Sequence, residues 1–211
     1  MTNSHIDWNN KDHFHAVDDF MARRSGALIS YSNLEQSLCA CMAYFGDMSD
    51  EAAGIIFYRI TNARTMMDVL DKLKKLRIGR RYAVYWHSIT KALKLLSETR
   101  NQIVHWTSAT VLKKEESVGF RVVLRPPNYW SWDEGTPELS SKELEDFSDR
   151  CHFLKESVDQ LILGAAGVLK GDERDAWLDI CQRALAYPNQ PEPPQSQKST
   201  KQQRQRPSSR T

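Results

Sequence analysis

Apolar residues recur at steps of three and four along most of the chain, the spacing that places them on one face of an α-helix. The first such run extends from Phe14 to Phe45 and ends at Gly46. A second runs from about Ser49 to Ile60, with Ser49 or Asp50 as its cap. Thr61 and Asn62 introduce a third, from Ala63 to Leu76. The pattern predicts one long amphipathic helix followed by two shorter ones.

A fourth helix, from about Tyr82 to His105, is predicted to lead into a β-hairpin. Its apolar stripe consists of Ile89, Leu93, Leu96 and Ile103. Two segments with strand composition follow, Thr107 to Leu112 and Phe120 to Arg125, and the residues between them are polar. Two such runs joined by a polar turn are typical of a hairpin, which would here be inserted between helices.

The C-terminal half of the chain predicts two more helices. Ser140 and Glu143 have the spacing of a capping box, and the helix they open is expected to continue to Val168. A final helix is predicted from Asp172 to Ala186. The sequence therefore indicates an all-α, or mainly α, helical bundle of five to six helices with a small inserted β-hairpin around residues 107–125.

One bundle domain is expected over residues 12–187, with a flexible segment at 1–11. The segment 188–211 is rich in Pro, Gln and Ser, contains no apolar residue to pack, and is predicted to be a disordered basic tail. Its basic residues are Lys198, Lys201, Arg204, Arg206 and Arg210, against the single acidic Glu192. The whole chain has a net charge of +2, so the bundle itself is slightly acidic. This argues against a broad electrostatic surface for duplex nucleic acid.

Composition also bears on compartment and cofactors. No apolar run approaches the roughly 18 residues of a membrane span, and Met1 to His15 lacks the pattern of a signal peptide, so we expect a cytoplasmic protein with no membrane contact. The cysteines, Cys39, Cys41, Cys151 and Cys181, include no CxxC pair. Two residues apart on a helix point about 200° away from each other, so Cys39 and Cys41 would not share a metal ion. We expect reduced thiols, no metal site and no cofactor.

Arg100 stands out because it falls near the middle of the apolar stripe of the fourth helix, where a leucine would be expected. A guanidinium at such a position calls for a carboxylate, a group of carbonyls, a subunit interface or a phosphate ligand. Asn101 and His105 are four residues apart and share a flank, whereas His105 lies about 140° around the helix from Arg100. Arg100 and His105 would converge only if the last turn unwinds or if a second subunit supplies one of them.

An arginine followed by asparagine and, four residues later, by histidine near the end of a helix in an all-α bundle resembles the motif of the HEPN superfamily. Arg100, Asn101 and His105 match it position by position. The resemblance implies a bundle of four or five helices that usually dimerises and, in active members, a metal-independent endoribonuclease whose paired motifs form one cleft. Trp106 departs from the small residue that relatives often have after the histidine.

The resemblance also implies a role for each residue of the motif. His105 would act as general base or acid at the ribose 2′-hydroxyl, Arg100 would stabilise the charged phosphorane, and Asn101 would orient the phosphate. The products would be a 2′,3′-cyclic phosphate and a 5′-hydroxyl. The first hypothesis is thus a homodimeric protein that binds or cleaves RNA.

A non-catalytic protein-interaction or regulatory bundle is the second hypothesis. In it, Arg100 would form a structural ion pair with Glu35 of the first helix, and His105 would bond a backbone carbonyl. The basic tail, or the loop with Tyr129, Trp130 and Trp132, would then engage a protein partner. A basic run between Lys72 and Arg81 has two interpretations, a solvated helix end or a guide for RNA.

Overall fold

Six helices and one β-hairpin make up the part of the chain that the structure, a computed structural model, describes: residues 11–112, 120–127, 136–181, 183–185 and 187. In chain order they are α1 (Lys11–Gly46), α2 (Asp50–Phe57), α3 (Ala63–Ile78), α4 (Ala83–His105), β1 (Thr107–Leu112), β2 (Phe120–Arg125), α5 (Ser141–Ala165) and α6 (Gly171–Cys181). The prediction of a mainly helical bundle with a small inserted hairpin is confirmed.

Helix α1 is the spine of the bundle. Its 36 residues contact α5 most extensively and also touch α2, α3, α4 and β2. The three- and four-residue spacing in its sequence corresponds to its buried face, because Leu34, Leu38 and Cys41 have no solvent exposure. They meet the equally buried face of α5, which includes Cys151 and Val158. The core therefore lies mainly between these two long helices.

Side-chain caps explain where three of the helices begin. The Ser49 side chain accepts a hydrogen bond from the Ala52 N–H at α2, and Asn62 accepts bonds from the N–H groups of the first turn of α3. Ser140 and Glu143 form the expected capping box at α5. Each cap satisfies N–H groups that have no partner within their helix. These starts could be predicted because a cap depends only on neighbouring residues.

Three helices end earlier than the sequence pattern predicts. Helix α2 ends at Phe57 instead of Ile60, α5 at Ala165 instead of Val168, and α6 at Cys181 instead of Ala186. After α5 the chain turns at Gly167, whose φ of +72° lies in the left-handed region that favours glycine and ends helices.

Beyond α6 the chain folds back onto the bundle. The Leu185 N–H donates to Ser88 Oγ at 2.9 Å, and the Tyr187 ring packs against Phe153 at 5.3 Å between centroids. The segment after α6 is thus not helical and packs against α4 and α5. The periodicity of its apolar residues does not reveal this.

The hairpin fixes the path of the chain as it leaves α4. Its two strands pair antiparallel, from Thr107 opposite Arg125 to Leu112 opposite Phe120. On its other edge β2 is bonded to Leu139 through Leu124, with N–H to oxygen distances of 2.9 and 3.0 Å. Because Val123 and Leu124 are fully buried, the hairpin is part of the core.

Several expectations fall outside the described residues. These are the flexible N-terminus, the hairpin turn, the aromatic residues Tyr129, Trp130 and Trp132, and the tail 188–211. None of the described helices combines the length and apolar composition needed to cross a bilayer.

Candidate functional site

Helix α4 stays regular through the whole motif. The Trp106 N–H donates to the Gln102 carbonyl oxygen at 2.8 Å, and the chain turns to extended backbone only at Trp106. Residues five apart on a regular helix point about 140° away from each other. Within one chain, therefore, Arg100 and His105 leave α4 on different faces, and the helix does not unwind to bring them together.

Arg24 of α1 holds the C-terminal end of α4. Its Nε donates to the Ile103 carbonyl oxygen at 3.0 Å, and its Nη2 donates to those of Val104 and Trp106 at 3.1 and 3.2 Å. The last carbonyls of a helix have no helical partner and carry the negative end of its dipole, so a guanidinium satisfies both their hydrogen bonding and their charge. Arg24 thereby sets the position of the motif against α1.

Sequence reasoning missed Arg24, although a signal was present. Arg24 lies between Phe20 and Ala27 at the spacing of the apolar stripe of α1, as Arg100 does on α4. A cation at such a position needs a partner, and helix C-termini are among the groups that supply one.

Arg100 is half-buried and lies over an aromatic ring. Its Cζ is 5.9 Å from the centroid of the Tyr31 ring, and its Nη1 donates to Asn101 Oδ1 at 3.3 Å. The aromatic face attracts the cation while the long side chain extends towards solvent. The structural ion pair with Glu35 is absent: among the described residues Arg100 forms no salt bridge. Most of its donors therefore remain available.

The buried Tyr31 lies under Arg100, and the half-buried Glu35 is one helical turn further along α1. Tyr31 is 5% exposed, its Oη is 2.8 Å from Ser97 Oγ, and its ring stacks on Phe147. Burial raises the pKa of Tyr31, so the phenol stays neutral. Burial also raises the pKa of the Glu35 carboxyl, and the charge of Arg100 acts in the opposite direction. The charge of Arg100 thus acts on the Glu35 carboxyl although the two side chains form no salt bridge.

Asn101 and His105 are exposed and one helical turn apart. Together with Lys94 and Glu98, which are also exposed, they form what we call the outer face of α4. Within the described part of the chain, no hydrogen bond, ion pair or ring contact involves the His105 side chain. The capping role that His105 would have under the second hypothesis is filled by Arg24.

A groove beside α4 lies away from the motif. It has a volume of about 720 Å³, runs between α4 and α5, and is lined mainly by apolar side chains such as Leu95, Phe147 and Leu154. Arg100, Asn101 and His105 do not line it. The motif thus lies on an open surface, which suits a polymer or a second protein better than a small molecule.

Neither a cluster of metal ligands nor the Cys151 thiol supplies an alternative reactive site in the described part of the chain. No group of three or more His, Cys, Asp or Glu residues there is placed to hold a metal ion. All four cysteines are free, and burial raises the pKa of Cys151 to about 12. A thiol with that pKa is a poor nucleophile near neutral pH.

Comparisons of this chain with protein-family models, with curated proteins and with solved structures found no match. The functional assignment therefore depends on the motif and its geometry.

Proposed function

We propose that this protein binds RNA through the outer face of α4 together with Arg100 and, as a homodimer, cleaves it without a metal ion. The observation that carries this proposal is that Asn101 and His105 are exposed at the end of α4 and that most donors of Arg100 have no acceptor among the described residues. Arg100 makes one hydrogen bond, to its neighbour Asn101, and His105 is exposed at the end of the helix. Arg24 and Tyr31 perform the structural tasks around them.

The chemistry of the three side chains suits a phosphodiester. A guanidinium offers a planar fork of donors to phosphate oxygens, an amide can donate to a third oxygen, and an imidazole exchanges a proton near neutral pH. Lys94 adds a positive charge on the same face, partly offset by Glu98. Because the site is open, it accommodates a chain of nucleotides.

A second copy is required for catalysis in this proposal. Arg100 and His105 point away from each other on one helix, so one chain does not surround a phosphate. Two copies of α4 facing each other across a twofold axis would bring both motifs to one cleft.

The proposed reaction needs two histidines in different protonation states. The neutral imidazole accepts the 2′-hydroxyl proton as the oxygen bonds to phosphorus, and the protonated imidazole of the other copy donates to the 5′-oxygen as its bond to phosphorus breaks. Arg100 stabilises the extra negative charge of the phosphorane, and Asn101 orients the phosphate. The products carry a 2′,3′-cyclic phosphate and a 5′-hydroxyl.

Cleavage of a fluorescently labelled RNA in EDTA tests the proposal. We expect wild-type protein to release 2′,3′-cyclic phosphate ends and His105→Ala to lose about 100-fold or more in rate, the usual contribution of a general acid or base. His87→Ala is the matched control, because His87 is an exposed histidine on the same helix, outside the motif. Equal rates for wild type and His105→Ala would refute the catalytic role.

Fluorescence anisotropy with the same RNA separates binding from cleavage. We expect Arg100→Gln to weaken binding and Arg59→Gln, at an exposed arginine outside α4, to leave it unchanged. RNA binding without cleavage would leave the non-catalytic form of the proposal standing. Absence of both in the wild type would overturn it entirely.

Mixing the two proteins tests the composite cleft. After subunits of wild type and His105→Ala have exchanged in equal amounts, only about one dimer in four has two intact histidines, whereas chains that act alone would retain about half of the activity. An activity near one quarter of an all-wild-type sample supports the composite cleft, and an activity near one half contradicts it.

A further inference from the structure

The opposite end of α4 borders a cavity that the proposed function does not use. It has a volume of about 720 Å³ and lies between the α3–α4 turn and the α5–α6 connection. Arg80 and Arg81 enter its wall from the turn before α4, and Arg174 and Trp177 enter from α6. Among the described residues, no aspartate or glutamate lines it. We call it the α4 N-terminal cavity.

Its three arginines have no anionic partner in the part of the chain that the structure describes. Arg80, Arg81 and Arg174 are exposed, and within the described residues none of them forms a salt bridge. Other arginines of this protein do find carboxylates, for example Arg183 with Asp179 at 2.8 Å. Cations gathered around one cavity repel one another, and a bound anion removes that repulsion.

The start of α4 adds a further positive potential. Its N-cap residue, Tyr82, has a φ of +59° and provides no side-chain cap. Tyr82, Ala83 and Val84 line the cavity, so the first turn of a 23-residue helix borders it. The Ala83 N–H already donates to the Arg80 carbonyl oxygen at 3.2 Å, which leaves the N–H groups of Val84 and Tyr85 without a backbone acceptor among the described residues. Such N–H groups carry the positive end of the helix dipole, which favours an anion.

Trp177 provides an independent indication of a missing acceptor. It lines the cavity, is 5% exposed, and its Nε1 has no hydrogen-bond partner among the described residues. A buried indole N–H normally finds an acceptor. Cys181 is in the same wall, and burial raises its pKa to about 12, so it contributes no competing negative charge near neutral pH.

Further donors continue into an adjoining cavity of about 400 Å³ that shares Arg80. Lys74 lines it with only 2% exposure, and its single hydrogen bond is a long one, 3.4 Å, to the Gly79 carbonyl oxygen. Trp86 lines it as well, and its Nε1 is also without an acceptor in the described part of the chain. Asp68 and Asp71 border this second cavity, which makes it less selective for anions than the first.

We propose that the α4 N-terminal cavity binds a phosphate-bearing ligand. The arginines would hold the phosphate oxygens, the N–H groups of Val84 and Tyr85 would donate from the first turn of α4, and the Trp177 indole N–H would complete the shell. This site lies at the other end of α4 from the motif and is additional to the proposed RNA cleavage.

Titration with inorganic pyrophosphate, followed through the indole N–H signals in NMR spectra of the full chain, tests this. The Trp177 signal is assigned as the one that Trp177→Phe removes. We expect it to shift on addition of pyrophosphate and not with sodium chloride at the same ionic strength. We expect Arg81→Gln/Arg174→Gln to weaken binding about tenfold or more, since charge-assisted hydrogen bonds are lost.

Arg59→Gln/Arg64→Gln is the control, because both residues are exposed arginines away from the cavity. Unchanged affinity in the Arg81/Arg174 variant, or equal loss in both variants, would overturn the site. Arg100→Gln should bind pyrophosphate normally, so failure of the RNA proposal leaves this one intact.

A short RNA without terminal phosphates distinguishes the two sources of phosphate. A Trp177 shift with pyrophosphate alone would identify a free phosphate compound, and a shift with the RNA would identify the nucleic-acid backbone. If neither probe moves the signal, the proposal is wrong.

Discussion

Two arginines occupy positions in this bundle where apolar residues would be expected, and they serve different ends. Arg24 donates hydrogen bonds to three backbone carbonyl oxygens at the end of α4. Arg100 lies over Tyr31 with a single polar contact, to Asn101. The two arginines occupy equivalent positions on their helices but have different partners. Arg24 is therefore a structural residue, and Arg100 is a candidate functional residue.

Arg24→Ala should destabilise the protein by about 1.5–3 kcal/mol, since charge-assisted hydrogen bonds to half-buried carbonyls are lost. Urea denaturation followed by circular dichroism measures this. Arg23→Ala is the matched control: Arg23 forms ion pairs only with the exposed Asp19 and Glu145, so its loss should cost below about 1 kcal/mol. Equal effects of the two changes would contradict the role assigned to Arg24.

Glu35→Gln should raise the melting temperature slightly at pH 7 and leave it unchanged at about pH 3. Burial raises the folded-state pKa of Glu35 above the ordinary value of 4.5, so the folded protein disfavours the ionised form. The stability associated with protonated Glu35 is therefore present below the ordinary pKa and is lost as pH rises through the folded value. Glutamine removes that penalty.

Thermal melts at the two pH values decide this prediction, with Glu98→Gln on the exposed face of α4 as control. A lower melting temperature for Glu35→Gln at pH 7 would mean that the charge of Glu35 stabilises the fold through Arg100, as the second hypothesis requires.

Helices α5 and α6 approach each other closely where Gly164 of α5 lies against the Trp177 ring of α6. A Cβ atom added at Gly164 would lie 2.3 Å from the Trp177 ring, and Trp177 is buried. The glycine is needed for space and not for backbone conformation. It sets how near α6 lies to α5, and Trp177 in turn lines the α4 N-terminal cavity.

Gly164→Ala should destabilise the protein by about 1–3 kcal/mol because it overpacks this contact. Gly26→Ala in α1, where nothing lies within 4 Å of an added Cβ, should stabilise it by about 0.5–1 kcal/mol through helix propensity. Chemical denaturation measures both. Stabilisation by both substitutions would show that α6 can move away from α5 at little cost. The contact between Gly164 and Trp177 would then not determine the position of α6.

At the scale of the whole molecule, α1 contacts α2, α3, α4, α5 and β2, so its buried face should control global stability. Leu34 has no exposure and lies in the single core cluster. Leu34→Ala should cost about 2–5 kcal/mol, the usual range for a cavity left by a fully buried leucine. We expect far-UV and near-UV circular dichroism to report one common transition at lower urea concentration.

Leu76→Ala is the control for this change. Leu76 is 84% exposed on α3, so its loss should alter stability by no more than about 0.5 kcal/mol. Separate transitions for the two spectroscopic signals in Leu34→Ala would contradict a single cooperative core.

The sequence by itself determined the helices, their buried faces and most of their starts, because spacing of three and four residues and caps such as Ser49 and Asn62 are local properties. The hairpin was equally readable, since β-branched runs flank one polar turn. The sequence also singled out Arg100, Asn101 and His105 as candidate site residues.

Only the tertiary structure decided which groups meet. Arg24 reaches carbonyls 79 to 82 residues away, Arg100 lies over Tyr31 instead of pairing with Glu35, and residues after Cys181 fold back onto α4. The α4 N-terminal cavity likewise joins residues from two distant turns. Local spacing specifies which face of a helix is buried, whereas the partner of a side chain on that face depends on how whole helices pack.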